Sequence, residues 1–115
     1  MLKENVLSGK RNFDIVYKKG KSVGHKYVVV FYKKNNLSHN RIGFLASKKV
    51  GNAVMRNRAR RLMKESVRLI GDLGFTGYDI IFIARNTINN TKCADVQKSI
   101  KGALRKTAML KNRRW

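Results

Sequence analysis

Apolar residues recur along this chain in two rhythms, one of helical period and one of strands. Phe13, Val16 and Tyr17 stand at i, i+3, i+4 and predict a helix that Ser8 caps, that runs to about Lys19, and that Gly20 stops. The β-branched and aromatic run Tyr27-Val28-Val29-Val30-Phe31-Tyr32 predicts a strand over residues 26–34, with Asn35-Asn36-Leu37-Ser38 as the turn that leaves it. Residues 41–47 then read as its partner in a hairpin.

The longest helical pattern begins at Asn52 as N-cap and ends at Ile70, with Gly71 beyond it. Successive residues placed about 100° apart put Met55, Ala59, Leu62, Met63, Leu69 and Ile70 on one arc, which should face the core. Arg56, Arg60, Arg61, Lys64 and Arg68 fall on the opposite side with Arg58 at its border, a cationic ridge that Glu65 alone interrupts. Gly71, Gly74 and Gly77 punctuate a loop before the buried strand Tyr78-Asp79-Ile80-Ile81-Phe82-Ile83-Ala84. Asn90 or Thr91 should cap a last helix whose stripe is Cys93, Val96, Ile100, Ala103, Leu104 and Thr107. The fold class is therefore α+β, in the order helix, hairpin, helix, strand, helix, with helices packed on a three- or four-stranded sheet. Without proline, repeat or low-complexity linker, residues 1–115 read as a single domain.

Charge changes this picture most. Lys and Arg number 27 against 6 Asp and Glu, a formal net charge of +21, so a folded body of this size repels itself and a polyanionic partner would relieve the repulsion. A hydrophobic fraction of 43% sets the chain apart from disordered basic tails. No apolar run approaches the roughly 18 residues of a membrane-spanning helix, and the N-terminus lacks the apolar stretch of a signal peptide, so the expected location is the cytoplasm, away from membranes. One cysteine, Cys93, excludes an internal disulfide and a Cys-rich metal cluster, and the glycosylation patterns at Asn36 and Asn89 then carry no weight.

Catalytic constellations are scarce. The six acids, Glu4, Asp14, Glu65, Asp72, Asp79 and Asp95, are too scattered for the convergent carboxylates of a metal-dependent nuclease. His25 and His39 are of a type that serves as acid and base on a ribose hydroxyl, but nothing in the sequence brings them together. Cys93 reads as a small core residue, and residues 71–77 lack the Lys and Ser/Thr of a phosphate-binding loop. The segment from Lys48 to Lys64 stands out, with Lys or Arg at 7 of its 17 positions and no acid. Arginine's planar fork suits bidentate contact with phosphate, and Gly51-Asn52 opens the helix with free amides that also attract anions. Phe13, Tyr17 and Phe31 could stack unpaired bases, although core packing is the ordinary role of such residues. The basic tail from Arg105 to Trp115 reads as a frayed end.

The run from Ser47 to Lys64, Ser-Lys-Lys-Val-Gly-Asn-Ala-Val-Met-Arg-Asn-Arg-Ala-Arg-Arg-Leu-Met-Lys, closely resembles the arginine-asparagine-arginine signature of the bacterial ribonuclease P protein family. The likeness extends to the basic first helix with Phe13 and Tyr17, a turn at Gly20-Lys21-Ser22-Val23, Arg41-Ile42-Gly43, and Asp79 to Arg85. It implies an α/β sandwich in which the signature helix belongs to a left-handed βαβ crossover, against the usual hand. It also implies that Lys48, Lys49, Asn52, Arg56, Asn57, Arg58, Arg60, Arg61 and Lys64 face a catalytic RNA subunit or nearby metal ions. Phe13, Tyr17 and Phe31 match the positions that receive the single-stranded 5′ leader of precursor tRNA. The implied reaction is Mg2+-dependent hydrolysis of a phosphodiester bond with the active site in the RNA, which leaves this chain without catalytic residues, metal ligands of its own or a small-molecule ligand. Two rivals remain: a ribosomal-type RNA-binding module without turnover, and a protein-only nuclease built on His25 and His39.

Overall fold

The computed structural model describes residues 2–109 and consists of three helices on a four-stranded sheet. Helix α1 covers Lys10–Lys19, strands β1, β2 and β3 cover Lys21–Gly24, Val28–Lys34 and Arg41–Leu45, helix α2 covers Ala53–Ile70, strand β4 covers Tyr78–Ala84, and helix α3 covers Cys93–Arg105. Short 3-10 turns at Lys3–Asn5 and Asn86–Ile88 precede α1 and α3.

The spatial strand order is β1-β2-β4-β3. This overturns the expected pairing of residues 26–34 with residues 41–47. The segment expected as a turn, Gly20 to Val23, instead supplies β1, which pairs antiparallel with β2 from Lys21 opposite Tyr32 to Gly24 opposite Val29. β4 lies between β2 and β3, antiparallel to the first and parallel to the second, so β3-α2-β4 is the parallel crossover unit. Polar chemistry at the start of β4 explains the insertion. The Asp79 carboxylate accepts from Arg41 Nε at 2.8 Å, Arg41 Nη2 at 2.6 Å and Asn35 Nδ2 at 2.9 Å, tying the end of β2 and the start of β3 to the strand between them. Asn40 adds a second clamp: its Nδ2 donates to the Phe75 carbonyl and its Oδ1 accepts from the Tyr78 amide.

A central strand must bury both faces, which is why β4 reads as an unbroken apolar run. Ile80, Phe82 and Ala84 join the larger core, with Val28, Val30 and Tyr32 of β2, Ile42 and Phe44 of β3, Ala59, Met63 and Val67 of α2, and the α3 stripe. Ile81 joins a smaller core on the opposite face, with Leu7 and Val16 and the half-buried Phe13, Phe31, Leu45 and Ile83. Helices α2 and α3 thus cover one face of the sheet, and α1 covers part of the other. Each large apolar side chain so buried contributes about 1.5–3 kcal/mol.

Three local expectations change. Gly9, at φ 88°, precedes α1 in place of Ser8 and provides no side-chain cap. Lys92 precedes α3 in place of Asn90 or Thr91, and its amide donates to the Asp95 carboxylate at 3.0 Å. On α2, Met55 and Leu69 are 37% and 51% exposed, while Ser66 is buried in their stead. The Ser66 hydroxyl satisfies itself on the Leu62 carbonyl at 2.7 Å, and its small size admits Cys93 of α3, whose sulfur lies 3.6 Å away. The contact rotates the buried arc away from Leu69. Residues 110–115, most of the basic tail, lie outside the described residues.

Candidate nucleic-acid interface

Helix α2 starts where expected: Asn52 Oδ1 accepts the Met55 amide at 3.0 Å. The cations that follow divide by what they already hold. Arg58 donates to the Thr91 carbonyl and so braces α2 against the turn before α3. Arg56, placed by its periodicity on the solvent side, is half-buried with Nη1 on the Gly51 carbonyl at 3.0 Å. Arg60 reaches the Asn57 side-chain oxygen one turn back, and Arg68 pairs with Glu65, the acid that breaks the ridge. The Arg68 guanidinium holds the Glu65 carboxyl below the usual carboxylate range, so this acid stays ionised and matched to its neighbour. Lys48, Lys49, Arg61 and Lys64 are exposed and hold no side-chain hydrogen bond among the described residues. Val54, Asn57, Arg60, Arg61 and Lys64 line a shallow depression of about 450 Å³.

The three aromatic residues gather on the sheet face that carries α1. Tyr17 and Phe31 meet edge to face with ring centroids 4.9 Å apart, an arrangement that fixes both rings. Tyr17 remains 37% exposed, and burial, with a smaller push from Asp14, raises its hydroxyl above the ordinary tyrosine value. Phe13 and Phe31 pack on the smaller core yet stay half-buried. Phe13 and Phe31 are thus core residues with one side open to solvent, and Tyr17 is the exposed member of the group.

The other candidates separate. His25 and His39 flank opposite ends of β2, whose seven residues span about 20 Å at the usual rise, and His25 Nδ1 is engaged with Ser99 Oγ at 2.9 Å. Among the described residues no three His, Cys, Asp or Glu side chains converge as a metal would need. Asp79 is taken by Arg41, Glu65 by Arg68, and Asp95 by the start of α3, so each of these three carboxylates already has a partner within the protein. No helix among the described residues is long and apolar enough to cross a membrane. Sequence reasoning missed the Asn35-Arg41-Asp79 cluster. The signal was an acid and an arginine each opening an apolar strand, which marks adjacent strand ends rather than a site.

Residues 1–108 match the family model described as Ribonuclease P. The ribonuclease P protein component of Alkaliphilus metalliredigens is 40% identical over 110 residues, covering 96% of this chain and 99% of that protein. That of Clostridioides difficile is 46% identical over 97 residues, covering 84% and 85%. The solved structure of the Staphylococcus aureus RNase P protein superposes with a TM-score of 0.81 at 31% identity, covering 92% of this chain and 97% of that one. A basic helix on a sheet of this order, and relatives alike over nearly their whole length, place the chain in the bacterial ribonuclease P protein family, whose members work with an RNA subunit in the 5′ maturation of tRNA.

Proposed function

We propose that this chain, acting as one RNA-binding domain in the cytoplasm, docks α2 on the RNA subunit and offers its aromatic face to the 5′ leader of precursor tRNA. The observation that carries this reading is the α2 ridge, where among the described residues no acid is paired with Arg56, Arg60, Arg61 or Lys64, while Arg58, at the border of the ridge, is held by the Thr91 carbonyl. Lys48, Lys49 and Asn52 precede these cations in the chain, and Asn57 lines the same depression as Arg60, Arg61 and Lys64. An amide or ammonium group contacts a phosphate with one donor, whereas an arginine contacts it with two, so the arginines of the ridge would set its orientation on the RNA.

Phe13, Tyr17 and Phe31 would stack leader bases that carry no pairing partner. Mg2+, held by the phosphates of the RNA subunit, would supply the activated water and stabilise the leaving oxygen. The cations of the protein lower the repulsion between two RNAs brought together, which tightens substrate binding and lowers the Mg2+ concentration the holoenzyme needs. The test is cleavage of precursor tRNA at low Mg2+ by the protein alone, a bacterial ribonuclease P RNA alone, and both together. Cleavage at the mature 5′ end only with both present is expected. A protein that leaves leader affinity and Mg2+ requirement of the RNA unchanged would refute the reading.

A further inference from the structure

Helix α3 carries a second run of cations, apart from the α2 ridge. Lys98, Lys101 and Arg105 recur at i, i+3, i+7 on the side of α3 turned away from the buried Val96, Ile100, Ala103 and Leu104. Lys98 is exposed, Lys101 and Arg105 are half-buried, and the exposed Lys106 follows at the helix end. At the usual helical rise the stripe is about 10 Å long, so neighbouring phosphates of one strand can reach it together. The one acid of α3, Asp95, already accepts the Lys92 amide at 3.0 Å.

The turn between β1 and β2 adds Lys26 to this surface, and the fold holds it there. Ser99 Oγ accepts the Tyr27 amide at 3.1 Å and shares a hydrogen bond of 2.9 Å with His25 Nδ1, which seats the turn on α3. A Cβ at Gly102 would run into His25 Nε2, so the glycine makes room for that ring. From the other side Arg85 Nη1 donates to the His25 carbonyl at 2.9 Å, and the Thr87 hydroxyl donates to the Lys26 carbonyl at 2.5 Å. Lys26 and Lys98 thereby line one small pocket with His25 and Asp95. The local potential is positive: burial first, then Lys106 and Arg105, lower the His25 pKa below its ordinary value.

This surface suits phosphates and not bases. Tyr27 is its one phenol ring among the described residues, and Lys26 Nζ stands over it, 5.3 Å from the centroid. Stacking a single strand needs an open ring, whereas paired RNA presents its backbone outward in a regular row. Helices α2 and α3 share one face of the sheet, α2 over β3 and β4 and α3 over β2 and β1, while the aromatic face of α1 lies on the other. Arg58 joins the two helices through the Thr91 carbonyl. An RNA docked on α2 therefore meets α3 next, and the leader, on the opposite face, does not. We infer that α3, together with Lys26, grips the backbone of a paired segment of the RNA subunit as a second contact, separate from the one on α2. For the identity of that RNA the inference rests on the proposed docking of α2.

Binding of the RNA subunit at several salt concentrations, without precursor tRNA, tests it. Lys98→Ala combined with Lys101→Ala should flatten the dependence of log affinity on log salt by about 1.8, about 0.9 for each duplex phosphate released. Alanine favours the helix, so the melting temperature should stay near that of the parent. Lys18→Ala combined with Lys19→Ala removes the same charge from exposed positions of α1 and should keep the parent's slope. In hydroxyl-radical footprinting the α3 variant should lose protection over a paired segment of the RNA subunit, and Arg61→Ala combined with Lys64→Ala over a different one. A parent-like slope for the α3 variant, an equal flattening by the α1 variant, or lost protection confined to unpaired nucleotides would overturn the inference. So would an effect seen only when the assembled holoenzyme binds precursor tRNA, which would give the surface to the substrate. Failure of the parent protein to bind the RNA subunit at all would instead sink the reading of α2.

Discussion

Replacing Arg61 and Lys64 together with alanine removes two exposed cations that hold no side-chain hydrogen bond among the described residues, so the change should be felt in binding and barely in stability. Removing one phosphate contact flattens the dependence of log affinity on log salt by about 0.7 for a single strand and about 0.9 for a duplex. Removing two flattens it by about 1.4 to 1.8, and over a fourfold rise in salt the variant's affinity should fall about 7- to 12-fold less than the parent's does. Arg58→Ala is the internal contrast. Its guanidinium is committed to the Thr91 carbonyl, so its removal should lower stability by about 1 to 2 kcal/mol and leave the slope where it was. Fluorescence titrations against the RNA subunit at several salt concentrations, with thermal melts of each protein, measure both quantities. Equal slopes for the double variant and the parent would remove Arg61 and Lys64 from the interface. A flattened slope for Arg58→Ala would mean that the Thr91 contact yields to RNA.

Arg41→Ala leaves the Asp79 carboxylate buried and without its bidentate partner, and should cost about 2 to 4 kcal/mol in denaturant melts; a drop under about 1 kcal/mol would show that Asn35 alone satisfies the acid. Gly20→Ala should destabilise more than Gly43→Ala, because a Cβ at Gly20 would meet the backbone oxygens of Val16 and Tyr32 at 2.5 and 2.6 Å, whereas at Gly43 it meets a ring that can shift; the reverse order in melting temperature would contradict this account of how α1 closes on β2. His25 is lowered below the ordinary value of 6.5 by burial first, then by Lys106 and Arg105, with Lys26, Lys98 and Asp95 also lining its small pocket. Because the unfolded chain then binds the proton more readily, the contribution of His25 is fully present above about pH 6.5 and is lost as pH falls through the folded value. An NMR titration should place the His25 midpoint below 6.5, and a midpoint at or above it would contradict the assignment.

How much of this was legible in the sequence depended on whether a residue's partner was local. The Asn52 cap, the span of α2, the strand at Tyr78–Ala84 and the α3 stripe from Val96 to Leu104 rest on neighbours within a turn or two and stand as read, whereas Thr107, buried as expected, lies beyond the end of α3 at Arg105. The pairing of β2 was not legible, because its apolar run is compatible with any neighbour and its true partner, β4, lies across the whole of α2. Nor was β1, whose Lys-Ser-Val-Gly has no strand pattern of its own and is held by the ladder that β2 offers it. The helical wheel of α2 failed at Leu69 for a related reason: it weighs side chains by polarity, and a buried serine that bonds its own helix carries no polarity outward.

The same distinction governs the charge. The sequence shows 27 basic residues as one population, and the fold divides them. Arg41, Arg58 and Arg85 are fixed to an acid or a carbonyl of a distant segment, and Arg68 to the acid one turn away; Lys48, Lys49, Arg61 and Lys64 extend from the same body without such a bond among the described residues. A guanidinium already bonded to the protein must break that contact before it can grip a phosphate with its full fork, whereas an unbonded cation gives up only water and side-chain freedom. Net charge therefore sets how strongly the chain is drawn to RNA from a distance, while the short set of unengaged cations on α2 and just before it sets where it docks. Shuffling lysine and arginine among the unengaged positions should change affinity modestly and keep the salt slope. Moving the same charges to α3 should preserve attraction and abolish the fit.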